Sequence, residues 1–176
     1  FLGMLHWIAD NLDGTAESLT SYVSSPGAAA DKVQTARYLL AIAAAKQARF
    51  DDAEKSLTDY LTNQPVKLTE RLRIESELAK AYQAARRFDK MAPHAEQAYA
   101  AAKSSAKEAG TRVRALDEML DTGMLVFEAY SGIGNIEKAD LALLRAEGIA
   151  MAIIAFVMGA RDLDGNRENT LALLED

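Results

Sequence analysis

His6 and His94 are the only histidines of this chain, 88 residues apart. Neither sits in an HExxH pair or in Cys/His spacing, so neither a zinc site nor a general base is read from them. His94 is read as a packing or surface residue. Cysteine is absent, which excludes a disulfide framework, a thiolate metal site and thiol catalysis within these residues. "SGIGN" at 131–135 has the glycines of a phosphate loop, but it follows no strand and contains no lysine, so it reads as the turn inside a helical pair. "DLDGN" at 162–166 begins like a calcium loop, yet Arg167 stands where that loop needs glycine and Leu173 where it needs a bidentate glutamate. Arg73, Glu77 and Lys80 fall at i, i+4 and i+7 of one helix and read as a surface ladder worth roughly 0.2–0.5 kcal/mol per pair. No catalytic residue, metal ligand or cofactor is expected from these patterns.

The elements that carry these residues follow from composition. The chain has 176 residues, of which 49% are hydrophobic and 26% charged, enough to bury one continuous core. Its net charge is −6, and the bases are scattered in pairs such as Arg71/Arg73, Arg86/Arg87 and Arg112/Arg114. No basic stripe suited to a phosphate backbone results, and no nucleic-acid partner is expected. The apolar runs FLGMLHWI and GIAMAIIAFVMGA are too short to span a bilayer, so no membrane span is expected; both read as buried or partner-covered helix, with membrane contact the alternative. The start at Phe1 rather than Met is the mark of a processed or an arbitrarily set beginning.

Alanine and leucine abound, proline numbers three, and the β-branched alternation of strands is missing, so the chain reads as all-α with about eight helices. Turns are placed at Asp13-Gly14, at 24–27, near Arg49, at 63–65, near Arg87, at Gly110, at 132–135 and from Gly159 onwards. In "YLLAIAAAKQARFDDAEKSLTDYL" Leu40, Ala41 and Ala44 form one helix face and the chain turns at Ala48-Arg49. Phe50 then precedes Asp51, read as the N-cap, with Glu54 completing a capping box and Ala53 at the helix crossing. The order returns 38 residues later in "ELAKAYQAARRFDKMAPHAEQAY", with Leu78, Ala79, Tyr82, Phe88, Asp89 and Met91 in the equivalent places. There Pro93 falls in the first turn if Asp89 is the cap. A third copy, 48 residues further on, is "MLVFEAYSGIGNIEKADLALLRA", with Val126, Phe127, Tyr130, Ile136 and Ala139.

Through Ala41, Tyr82, Tyr130, Phe50, Phe88, Ala53, Ala139 and Pro65 the chain resembles the tetratricopeptide repeat family, over roughly residues 34–156. The resemblance implies a right-handed superhelix of antiparallel helix pairs, an α-α solenoid. Residues 34–159 would be three irregular repeats. Residues 1–33, which show no clean copy, would be a helical hairpin capping them, and 160–176 a polar tail or the start of a missing domain. It also implies a concave groove lined by the first helix of each pair. Carried over residue by residue, the groove would hold Thr35, Tyr38, Leu39, Ile42, Lys46, Arg73, Glu77, Lys80, Gln83, Asp121, Met124, Leu125 and Glu128. The family's clamp for acidic C-terminal peptides places lysine, asparagine and arginine where this chain has Tyr38, Ile42, Glu77, Asp121 and Leu125, so that ligand is not expected.

The function implied is a non-enzymatic module that binds a protein or peptide. A second resemblance offers another class. "DLDGN" followed by "TLALLED" is similar to the opening of a TlpA/redoxin-type thioredoxin-like domain, which would make the chain an accessory domain of a larger enzyme. A cell-envelope or periplasmic location would suit that alternative, and a cytoplasmic one the first. A third reading is homo-oligomerisation through the apolar run at 148–160.

Overall fold

The computed structural model describes residues 2–62, 67–109 and 113–157. Among these residues there are eight helices and no strand: α1 (Leu2–Ile8), α2 (Leu12–Val23), α3 (Ala30–Lys46), α4 (Phe50–Thr62), α5 (Leu68–Ala84), α6 (Phe88–Ala109), α7 (Val113–Ile133) and α8 (Ile136–Val157). The all-α expectation holds. Each helix lies against the next along the chain, and α3 also lies against α5. The expected turns at 63–65 and Gly110, the closing Pro65 and the whole tail from 160 lie outside the described residues.

Four of the connections are one turn, repeated. At each, a residue with φ between 54° and 81° ends one helix: Asp10, Ala48, Arg86 and Gly134. The amide of the following residue reaches back to a carbonyl five positions earlier, from Asn11 to His6, Arg49 to Ala44, Arg87 to Tyr82 and Asn135 to Tyr130. This is a left-handed cap that satisfies a carbonyl the helix end would leave orphaned. The next helix opens with Thr15, Ala53, Met91 and Ala139 bonding to Asn11, Arg49, Arg87 and Asn135. Those four openers are all buried, because each sits where its helix crosses the one before. The expected spacings of 38 and 48 residues therefore hold, and they extend to a copy that sequence reading missed. The α1–α2 hairpin has the same turn 38 residues before Ala48, with Thr15 standing for the crossing alanine.

The helix starts differ from expectation. Because Ala53 and Met91 bond to Arg49 and Arg87, the caps are the arginines, and Asp51 and Asp89 fall in the first turn. There they meet the positive end of the helix dipole instead of capping an amide. Glu54 accordingly forms no capping box; it accepts from Tyr82 Oη at 2.9 Å. Pro93 lies inside α6 rather than in its first turn. Its exposed side of the helix leaves the carbonyl it cannot bond open to water.

Two apolar clusters form the centre. Ala41, Ile42, Ala53, Leu57, Ile74, Leu78, Tyr82, Met91 and Ala129 bind α3 to α7 together, and Ala98, Ala102, Ala106, Leu116, Met119 and Ile149 join α6, α7 and α8. Alanines at the crossings let helices approach closely, while Tyr82 stacks on Phe50 with centroids 4.3 Å apart. Phe50, Phe88 and Leu40 are half-buried. A third cluster of Leu19, Ala36 and Leu39 ties the N-terminal hairpin to α3.

Candidate functional site

A cleft of about 800 Å3 opens across α3, α5 and α7. These are the helices that begin the second, third and fourth pairs, so the turns described above bring one edge of each to the same side. Tyr38 comes from α3; Leu72, Arg73, Ser76, Glu77, Lys80 and Gln83 come from α5; Arg114, Glu118, Asp121, Met124, Leu125 and Glu128 come from α7. The spacing 73, 76, 77, 80 is that of one helix face. Its neighbouring positions, Ile74, Leu78 and Ala79, are fully buried, which locks the face outward.

Nine of the thirteen expected groove residues line this cleft: Tyr38, Arg73, Glu77, Lys80, Gln83, Asp121, Met124, Leu125 and Glu128. The other four do not. Ile42 is fully buried in the main core, and Leu39 is buried against the N-terminal hairpin, where its edge lines the cleft of α1, α2 and α3. Lys46 is turned to Trp7, with Nζ 5.8 Å from the ring centre. Thr35 lines a separate, more apolar cleft of about 910 Å3 between α1, α2 and α3. For Leu39, Lys46 and Thr35 the reason is shared, since the α1–α2 pair stands before α3 and takes the side of α3 that carries them, whereas Ile42 is covered by the main core.

Charge in the cleft is mixed. Gln83 Nε2 donates to Glu128, which bridges α5 to α7. Glu70 accepts from Tyr60 Oη at 2.5 Å and pairs with Lys67 at 3.4 Å. Arg114 pairs with Glu118 at 3.4 Å. Burial first, and the Glu70 bond after it, raise the Tyr60 phenol, which stays a donor. The ladder expected of Arg73, Glu77 and Lys80 does not form. Among the described residues these three and Asp121 have no ion pair or hydrogen bond, leaving two cations and two carboxylates free to meet something else. Beneath them Leu72 and Leu125 are buried and Met124 and Tyr38 half-buried, giving the cleft an apolar floor.

A second polar group lies behind the cleft. His94 on α6 is held between Glu75 of α5, Nδ1 to Oε2 at 2.8 Å, and Glu54 of α4, Nε2 to Oε1 at 2.9 Å. Its ring stacks on Tyr82 with centroids 5.6 Å apart. Burial pulls its pKa down, but the hydrogen bonds to Glu75 and Glu54 and their charges outweigh burial, and the net direction is above 6.5. Tyr82 is pushed up to about 12 by burial and by its bond to Glu54. When protonated, the imidazole donates from both ring nitrogens and clamps three helices together, a form the raised pKa favours. The packing part of the earlier reading holds; the two carboxylates were missed. The signal was Glu75 itself, a carboxylate at helical spacing among Leu72, Leu78, Ala79 and Tyr82 on the buried side of α5.

Among the described residues no group of three His, Asp or Glu is placed to hold a metal ion, and no helix is long and apolar enough to cross a membrane. Compared with known proteins, the chain matches no family model, no curated protein and no solved structure.

Proposed function

We propose that the chain is a tetratricopeptide-like helical-repeat module, a solenoid of irregular pairs, that binds an extended segment of a partner protein in the cleft of α3, α5 and α7 without catalysing a reaction. The observation that carries this reading is the set of four partnerless charges, Arg73, Glu77, Lys80 and Asp121, over an apolar floor. Charged side chains on a stable helix usually gain a little from each other. Four that face one cleft without doing so are available to a ligand, where desolvation strengthens each contact. The repeated turn at 38- and 48-residue spacings supports the repeat architecture. An extended peptide would lay apolar side chains toward Leu125 and Met124 and set its own charges against the two signs on the walls, which favours ligands of mixed charge.

The test is selection from a displayed library of random peptides against the full chain, followed by titration of the enriched sequences. The Arg73→Glu/Lys80→Glu variant should lose them by about tenfold or more while melting within about 0.5 kcal/mol of the parent, since no intramolecular partner is removed. Enriched peptides that bind this variant as tightly as the parent would reject the cleft as the site.

A further inference from the structure

The last helix exposes large apolar side chains at positions whose counterparts in the preceding pair face the next helix. The turn bonds align α8 on α6 at a spacing of 48 residues. On α6, the side turned to α7 carries Phe88, whose ring lies against Gly132 of α7, Tyr99, whose ring lies against Gly123, and Glu96, which accepts from Tyr130 Oη. Further along, Ala106 is fully buried. The positions of α8 that correspond to Phe88, Glu96 and Ala106 are Ile136, Leu144 and Ile154, which are 73%, 65% and 49% exposed, and Met151 between them is 65% exposed. A run of large apolar side chains thus lies bare where the preceding pair places its next helix. A stacked helical pair leaves such a face at its end and needs something polar on the outside to cover it.

The chemistry of the covering element is written on the same face. Asp140 and Glu147 stand among these residues, two helical turns apart, where α6 has the buried Ala92 and the half-buried Tyr99. Both carboxylates are exposed, and among the described residues neither has an ion pair or hydrogen bond. Two copies of α8 laid antiparallel would set Asp140 against Glu147 twice, in chains that each carry a net charge of −6, and like charges in that position destabilise. Residues 158–176 fit no better, with Asp162, Asp164, Glu168, Glu175 and Asp176 against only Arg161 and Arg167.

We propose that this face of α8 docks one amphipathic helix of a partner protein, in the position that α7 takes on α6, with lysine or arginine set to meet Asp140 and Glu147. The surface is separate from the cleft of α3, α5 and α7, so the two proposals stand or fall independently.

The probe is a synthetic amphipathic helix of about 20 residues, ~30 Å long, with leucine along one stripe and lysine beside it, and a control with glutamate in place of lysine. Fluorescence anisotropy with the full chain should show the lysine helix binding at least about tenfold tighter than the glutamate helix. Met151→Glu should weaken the lysine helix by about tenfold, although it adds negative charge; loose electrostatic attraction would strengthen instead. Asp140→Lys with Glu147→Lys should reverse the preference between the two helices. All three residues are exposed, so these variants keep the fold. Equal affinity for both helices, no binding of either, or unchanged affinity in Met151→Glu overturns the proposal. So does a dimer in light scattering that Met151→Glu dissociates, which would make the occupant a second copy. Tighter helix binding after Leu171→Glu with Leu174→Glu would likewise overturn it and assign the face to the chain's own tail.

Discussion

His94 Nδ1 donates to Glu75 Oε2 at 2.8 Å, and Glu75 is only 3% exposed. A nearly dehydrated carboxylate is tolerated in this core because His94, when protonated, and Arg71, with Nε 3.8 Å from Glu75 Oε1, both face it. The folded pKa of His94 is raised above 6.5. Its contribution to stability is therefore fully present below about pH 6.5 and is lost as pH rises through the folded value. Denaturation midpoints should fall across that interval and level off above it. His94→Leu should remove the dependence and cost about 1–3 kcal/mol, since it leaves the buried Glu75 with only Arg71, whose Nε lies 3.8 Å from Oε1, while His94→Leu with Glu75→Leu should regain much of that. A pH profile identical in the parent and His94→Leu would contradict the assignment.

The four buried helix openers should respond alike to enlargement. Ala53→Leu has no room at a fully buried crossing and should cost about 1–3 kcal/mol. Thr15→Leu should cost at least as much, since it also removes the bond from Thr15 Oγ1 to the Asn11 carbonyl at 2.8 Å. Lys55→Ala, on an exposed position, should change the midpoint of chemical denaturation by less than about 0.5 kcal/mol. A silent Thr15→Leu would remove the N-terminal hairpin from the set of copies.

Gly132 and Phe88 should be energetically coupled. A Cβ at Gly132 would run into the Phe88 ring, so Gly132→Ala alone should destabilise by about 1–3 kcal/mol. With the ring truncated by Phe88→Ala the same change should be nearly free, giving a coupling of about 0.5–3 kcal/mol in a double-mutant cycle. Additive effects would mean that α6 and α7 do not meet there.

The turn residues offer a test of opposite sign. Ala48 holds φ at 55° and Gly134 at 81°, a region that costs an L side chain and not glycine. Ala48→Gly should therefore stabilise, and Gly134→Ala destabilise, each by about 1 kcal/mol, read from thermal or urea midpoints. Nothing lies within 4 Å of a Cβ at Gly134, so only the backbone is being measured.

Short-range physics was legible in the sequence. A helix end with a left-handed residue, the apolar residue that opens the next helix and the buried residue three positions later lie within a few residues of each other, so their order appears directly in "QARFDDA" and "AARRFDKM". Helical periodicity likewise placed Arg73, Glu77 and Lys80 on one face and that face outward. What tertiary structure decided was what lies across from each face. Ile42 and Leu39 share a helix with Tyr38, but Leu39 is buried because the α1–α2 pair arrives beside it and Ile42 because the following helices close over it. That pair was expected as a capping hairpin and not as a copy, because Leu12 and Thr15 keep the turn geometry with residue types unlike Phe50 and Ala53. Arg49 and Arg87 rather than the aspartates became caps because the left-handed turn had already set where the backbone re-enters the helix. His94 owes its raised pKa to Glu54 and Glu75, 40 and 19 residues away, on helices whose apposition no local pattern encodes. Local propensity depends on neighbours in the chain, whereas burial, ionisation and an uncovered apolar face depend on neighbours in space, and only the folded chain supplies those.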